Sequence, residues 1–113
     1  MSRSPRPGTA VRGSTTGRPL MAALDLFGHR WMLRVLWELR DGAVGFRELI
    51  ARCDGISAAV LRARLVELLD AALVEQDAER RYLLTPLGRD VAEAIAPLDA
   101  WARRWQRATD PAH

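Results

Sequence analysis

FRELIARCDGISAAVLRARLVELLDAALVEQDAERRYLLTPLG, residues 46–88, changes its hydrophobic period twice within one unbroken run. Phe46, Leu49 and Ile50 fall at helical spacing, which predicts a short helix over 46–52 with those three side chains inward. Cys53-Asp54-Gly55-Ile56 follows as a tight turn in which Gly55 supplies a positive φ. Ser57 is placed to cap a second helix, because its hydroxyl accepts from an orphan amide of the first turn. That helix is expected to run to about Ala71, with Leu61, Leu65, Leu68 and Leu69 as its buried stripe. Residues 73–76 and 80–84 then read as two strands joined through Asp77-Ala78-Glu79. Thr85-Pro86 opens a last helix: threonine caps it, and proline sits where no amide donor is needed.

Upstream, Leu20, Leu24 and Phe27 predict a short helix from Pro19 that Gly28 weakens or ends. A second helix is expected over 29–40, with Trp31, Val35, Leu36 and Leu39 on one face and Asp41-Gly42 as its stop. Residues 43–45 read as a short extended piece. Downstream, Val91, Ile95, Leu98, Ala102 and Trp105 recur at helical spacing, so the last helix should reach about Arg107. The fold class is therefore mainly α with a small β-hairpin. Two short helices joined by a glycine turn and followed by a hairpin make a winged helix-turn-helix, here flanked by N- and C-terminal helices.

The 113 residues suffice for one domain, expected over 19–109, with a basic N-terminal tail over 1–18 and a short C-terminal tail over 110–113. The net charge of +3 is concentrated at one end: Arg3, Arg6, Arg12 and Arg18 stand in residues 1–19 without a single acid. The remaining 13 arginines face 14 acids, so the folded part is close to neutral. Such a tail is attracted to phosphate backbones without reading sequence, or is simply a solvated, flexible leader. One cysteine, Cys53, forms no internal disulfide, and no apolar run approaches the ~20 residues of a membrane span, so a cytoplasmic location is expected. His29 and His113 are the only histidines, no phosphate-cradling glycine loop or nucleophile elbow is present, and neither an enzyme nor a metal or other cofactor is expected.

LDLFGHRWMLRVLWEL (24–39), FREL (46–49), GISAAVLRARLVELLDAALVE (55–75) and YLLTPLGRDV (82–91) together resemble the HxlR-type regulators, relatives of the MarR group. The likeness covers about residues 19–105. It implies a homodimer in which the first and last helices of each subunit pack together, with the helix after Ser57 lying in the major groove of double-stranded DNA. The implied function is transcriptional regulation, with repression through an inverted repeat favoured and a small-molecule effector of unknown identity left open. The chain departs from the family at four places. Arg18 stands where many members carry a cysteine used by some to sense oxidants or electrophiles, and Gly45 replaces an arginine. Ala72 replaces the glycine that closes the reading helix, and the hairpin is several residues shorter.

On that helix, Ala59, Arg62, Ala63 and Val66 lie opposite the leucine stripe. Arg62 is the one side chain there able to make a bidentate contact to guanine, or it is merely solvated; Ala59 and Ala63 can touch thymine methyls. Ser57 is placed to hold a phosphate. Arg64, on the flank, reaches a phosphate or bridges to Glu67. Arg47 anchors phosphate or forms a surface pair, and Arg80 and Arg81 at the hairpin tip share it with Asp77 and Glu79. Leu20, Leu24, Phe27, Leu98, Trp101 and Trp105 are the expected dimer contacts, with Trp101 and Trp105 one turn apart. Cys53 reads as a small semi-buried residue or as a redox switch beside the reading helix. The alternative from another class is a protein-interaction module that keeps the scaffold and has lost DNA reading.

Overall fold

The computed structural model describes residues 18–111. The basic tail over residues 1–17 and the last two residues lie outside that range. Five helices and one hairpin follow in the order α1 (Pro19–Phe27), α2 (Met32–Glu38), α3 (Phe46–Arg52), α4 (Ala58–Asp70), β1 (Val74–Gln76), β2 (Tyr82–Leu84) and α5 (Pro86–Thr109). This is a winged helix-turn-helix: α3, the Gly55 turn and α4, then the β1–β2 wing.

α2 starts later than its periodicity predicts. Trp31 adopts a left-handed backbone with φ 75°, so the helix begins at Met32. The break moves the inward position by one residue. Met32, Val35, Leu36 and Leu39 are buried, while Trp31 is half-buried and its ring edge reaches the turn at Gly55. Gly55 itself has φ +97°, as the turn requires.

The centre of the core is made by Met32, Leu36, Leu49, Leu61, Leu65 and Leu68, all essentially inaccessible to solvent. Removing any of these leucines to alanine is expected to cost about 2–5 kcal/mol. Leu61, Leu65 and Leu68 form the α4 stripe as predicted, but Leu69 does not belong to it. Leu69 lies at the margin of the helical wheel and is exposed.

The wing pairs Val74 with Leu84 and Gln76 with Tyr82 in antiparallel register. β2 is shorter than predicted because the Asp77 carboxylate captures the amides of Glu79 (3.0 Å) and Arg81 (2.8 Å). The Asp77 amide still donates to the Arg81 carbonyl (2.9 Å), but the reciprocal Arg81 amide goes to the Asp77 carboxylate in an Asx-type turn. The extended piece before α3 joins the sheet edge: Val44 exchanges both backbone hydrogen bonds with Tyr82, each 2.8 Å. α5 packs on α2 and on β2. Its entry is fixed by Thr85, whose hydroxyl donates to the Ala72 carbonyl (2.7 Å) and accepts from the Gly88 amide (3.0 Å). Gly88 is buried tightly against the Leu73 carbonyl.

Candidate nucleic-acid interface

α4 is presented like a reading helix. Ser57 caps it by accepting from the Val60 amide at 3.1 Å, and three leucines fix its inner side. Ala59, Arg62, Ala63 and Val66 are all exposed on the outer side, as their spacing opposite the leucines predicts. The bottom of this face is short and apolar, and the one long polar side chain on it is Arg62.

The Arg62 guanidinium carbon lies 4.8 Å from the centre of the Phe46 ring. Phe46 is the first residue of α3 and is itself half-buried against the core. Arg62 forms no ion pair with a carboxylate of the described residues, and neither does its neighbour across the turn, Arg47. Both are exposed, and both are available to an external anion.

The other predicted contacts separate. Arg64 turns back toward the body of the protein, where its guanidinium meets Glu67 at 2.8 Å and its side chain is only 21% exposed. The second oxygen of Glu67 is hydrogen-bonded to Nδ1 of His29, from the α1–α2 turn. Arg64 is therefore a brace between α4 and that turn, the bridging option open to it from sequence. At the wing tip, Arg81 is held by Asp77 (2.9 Å) and Glu79 (3.4 Å). Arg80 has a left-handed backbone, φ 64°, and no carboxylate partner among the described residues. Hydrogen bonds to the Arg81 and Glu79 amides, together with the Arg81 guanidinium, hold the Asp77 carboxyl below the usual carboxylate range.

Two residues that the sequence did not single out join the site. One is Phe46, whose ring carries Arg62. The other is Arg30, which with Trp31, Gly55, Ser57, Val60 and Arg64 lines a hollow of about 390 Å³ at the start of α4. Arg30 is remote from α4 in sequence; folding brings it there, through the turn that ends at Trp31.

Of the expected dimer contacts, Leu20, Leu24, Leu98, Trp101 and Trp105 are exposed, with Leu20 at 68%. Trp101 and Trp105 stack with ring centres 5.7 Å apart and an interplanar angle of 6°. Phe27 differs, since it is half-buried against its own subunit's core. Cys53 is fully buried rather than semi-buried, and burial pushes its thiol up, more than the Arg34 charge lowers it.

The HxlR-like helix-turn-helix family matches residues 26–110. An uncharacterised helix-turn-helix transcriptional regulator of Bacillus subtilis, YvaP, is 29% identical over 89 residues, covering 74% of this chain and 82% of its own. Among solved structures, quinone-bound YodB of B. subtilis superposes with a TM-score of 0.68 at 30% identity, covering 75% of this chain and 94% of that one. A possible HxlR family transcriptional factor of Thermoplasma volcanium gives 0.69 at 27% identity, covering 75% and 82%.

Proposed function

This chain belongs to the HxlR-like helix-turn-helix family of transcriptional regulators, and from that premise we propose that it acts as a homodimeric repressor. It would bind an inverted repeat in duplex DNA, with α4 of each subunit in the major groove. The observation that carries this reading is the exposed outer side of α4 with Arg62 at its centre, beside the Phe46 ring and without a carboxylate partner among the described residues. Arg47 and Arg80 supply phosphate contacts on either side, and Ser57 with Arg30 supports a phosphate at the start of the helix. Arg64 and Arg81 contribute less than their charges imply, because acids of the same chain already hold them. Leu20, Leu24, Leu98, Trp101 and Trp105 form the seam between subunits, and the site of action is the cytoplasm.

A small-molecule input is part of the proposal, since YodB was solved with a quinone bound. The chemistry here differs from a cysteine sensor at the start of α1: Arg18 precedes Pro19, and the one cysteine, Cys53, is buried. A second reading, a protein-docking module on the same scaffold, draws on the apolar outer side of α4, where Val66 is exposed, and on the neutralised Arg81.

Selection from random duplex DNA at two salt concentrations tests the proposal. The expected result is an enriched inverted repeat with half-sites about one helical turn apart, bound more weakly at high salt. No enriched sequence at either salt would refute DNA reading and favour the docking module.

A further inference from the structure

The outer side of α4 holds one hydrogen-bonding side chain long enough to read a base, and that side chain is not free to wander. Arg62 lies over the Phe46 ring at 4.8 Å, within the range of a cation–π contact. A cation–π contact of this kind leaves the N–H donors of a guanidinium, the atoms that meet the O6 and N7 of guanine, free to bond elsewhere. An unrestrained arginine loses rotamer freedom on being fixed, and a prior contact with the ring moves part of that loss from binding to folding. Around Arg62 stand Ala59 one turn before, Ala63 beside it and Val66 one turn after, all exposed and all apolar. None can donate or accept a hydrogen bond, so they meet only methyl groups, which in the major groove belong to thymine. From Ala59 to Val66 the helix advances roughly 10 Å, about the span of three base pairs.

We propose that Phe46 is a positioning residue for base recognition, holding Arg62 over one guanine per half-site in a setting otherwise read through thymine methyls. The inference rests on the DNA-reading function proposed above and specifies what that function recognises. Phe46 touches no base. It acts through Arg62, and the aromatic ring rather than apolar bulk is what it contributes.

The test compares wild type, Phe46→Leu, Phe46→Tyr and Arg62→Ala by selection from random duplexes, followed by titration of the enriched site and of the same site with its guanine replaced. Wild type should enrich one guanine per half-site flanked by thymines. Phe46→Leu should bind the guanine site about two- to five-fold more weakly, the size of an exposed cation–π contact, with the substituted site unchanged. Phe46→Tyr should restore the preference, and in an Arg62→Ala background Phe46→Leu should change nothing. A free-protein measurement stands beside these should Phe46→Leu unfold: in wild type, the δ protons of Arg62 should be shifted upfield of those of Arg47 by the ring current. Enrichment of a site without the guanine, an unchanged ratio in folded Phe46→Leu, or unshifted Arg62 protons would overturn the inference while leaving DNA reading intact. No enrichment by wild type would overturn both.

Discussion

Replacing Gly88 with alanine is the smallest change expected to disrupt the fold. A Cβ at that position would lie 2.0 Å from the Leu73 carbonyl oxygen, 3.0 Å from its carbon and 3.3 Å from a Leu84 methyl. The first neighbour is backbone and cannot rotate away. The same carbonyl accepts the Thr85 amide at 3.1 Å, and the preceding carbonyl, of Ala72, accepts the Thr85 hydroxyl at 2.7 Å. Relief therefore requires α5 to move off the wing, breaking its own cap. Overpacking of a dense core costs about 1–3 kcal/mol, and a contact this close to fixed backbone belongs at the upper end. For a domain of this size, about 3 kcal/mol corresponds to a fall of roughly 12–24 °C in the thermal midpoint. Far-UV circular dichroism measures it, with wild type and variant at one protein concentration so that subunit association does not enter the comparison. A Gly88→Ala protein melting within about 2 °C of wild type would mean that α5 has room beside the Leu73 carbonyl that the structure denies it.

Ala72, which closes α4 with φ 62°, should be improved by glycine: Ala72→Gly is expected to raise stability by about 1 kcal/mol, read from the same melts, and a decrease would mean that chain entropy outweighs the strain. Trp101→Ala with Trp105→Ala should weaken the proposed dimer roughly a thousand-fold, as two hot-spot truncations of about 2 kcal/mol each would; light scattering across a dilution series measures it, and an unchanged association state would move the proposed seam elsewhere. Native Cys53 should react with iodoacetamide at pH 8 at least about ten-fold more slowly than glutathione, since burial favours its neutral thiol and denies access; equal rates would reopen a redox role. Asp77 titrates below the ordinary 3.8, so its hydrogen bonds support the wing turn above that pH and are lost as pH falls through its lower native value. The amide signals of Glu79 and Arg81 should report that midpoint, and a midpoint at or above 3.8 would contradict it.

The order of helices and the hairpin was legible because each element carries its own local signal. The leucines of α4, the serine and threonine caps and the Thr85-Pro86 start all act within one turn of chain. Periodicity misplaces Trp31 because nothing local marks a bulky residue with positive φ. Its ring reaches Gly55, 24 residues on, a proximity that the period of α2 does not carry. Leu69 reads as inward because a wheel divides the helix too generously at its margin, whereas it is exposed. In the site, the exposed set Ala59, Arg62, Ala63 and Val66 followed from helical period alone. Which arginines stay available did not follow, since charge in a sequence does not say who neutralises whom. Arg81 is matched by acids two and four residues away, a pairing that spacing allows but does not require. Arg64 is matched by Glu67 only in company with His29, from another part of the chain. The stacking of Arg62 on Phe46 likewise joins two helices across the Gly55 turn and has no signature in either.

In the proposed function the outer side of α4 reads bases through Arg62. Its most direct test is the affinity of Arg62→Ala for the selected site and for random duplex, measured side by side at one salt concentration. A loss of about 1–3 kcal/mol on the selected site with little change on random duplex is predicted. An equal loss on both would mean that Arg62 touches only backbone, which would contradict base reading by α4.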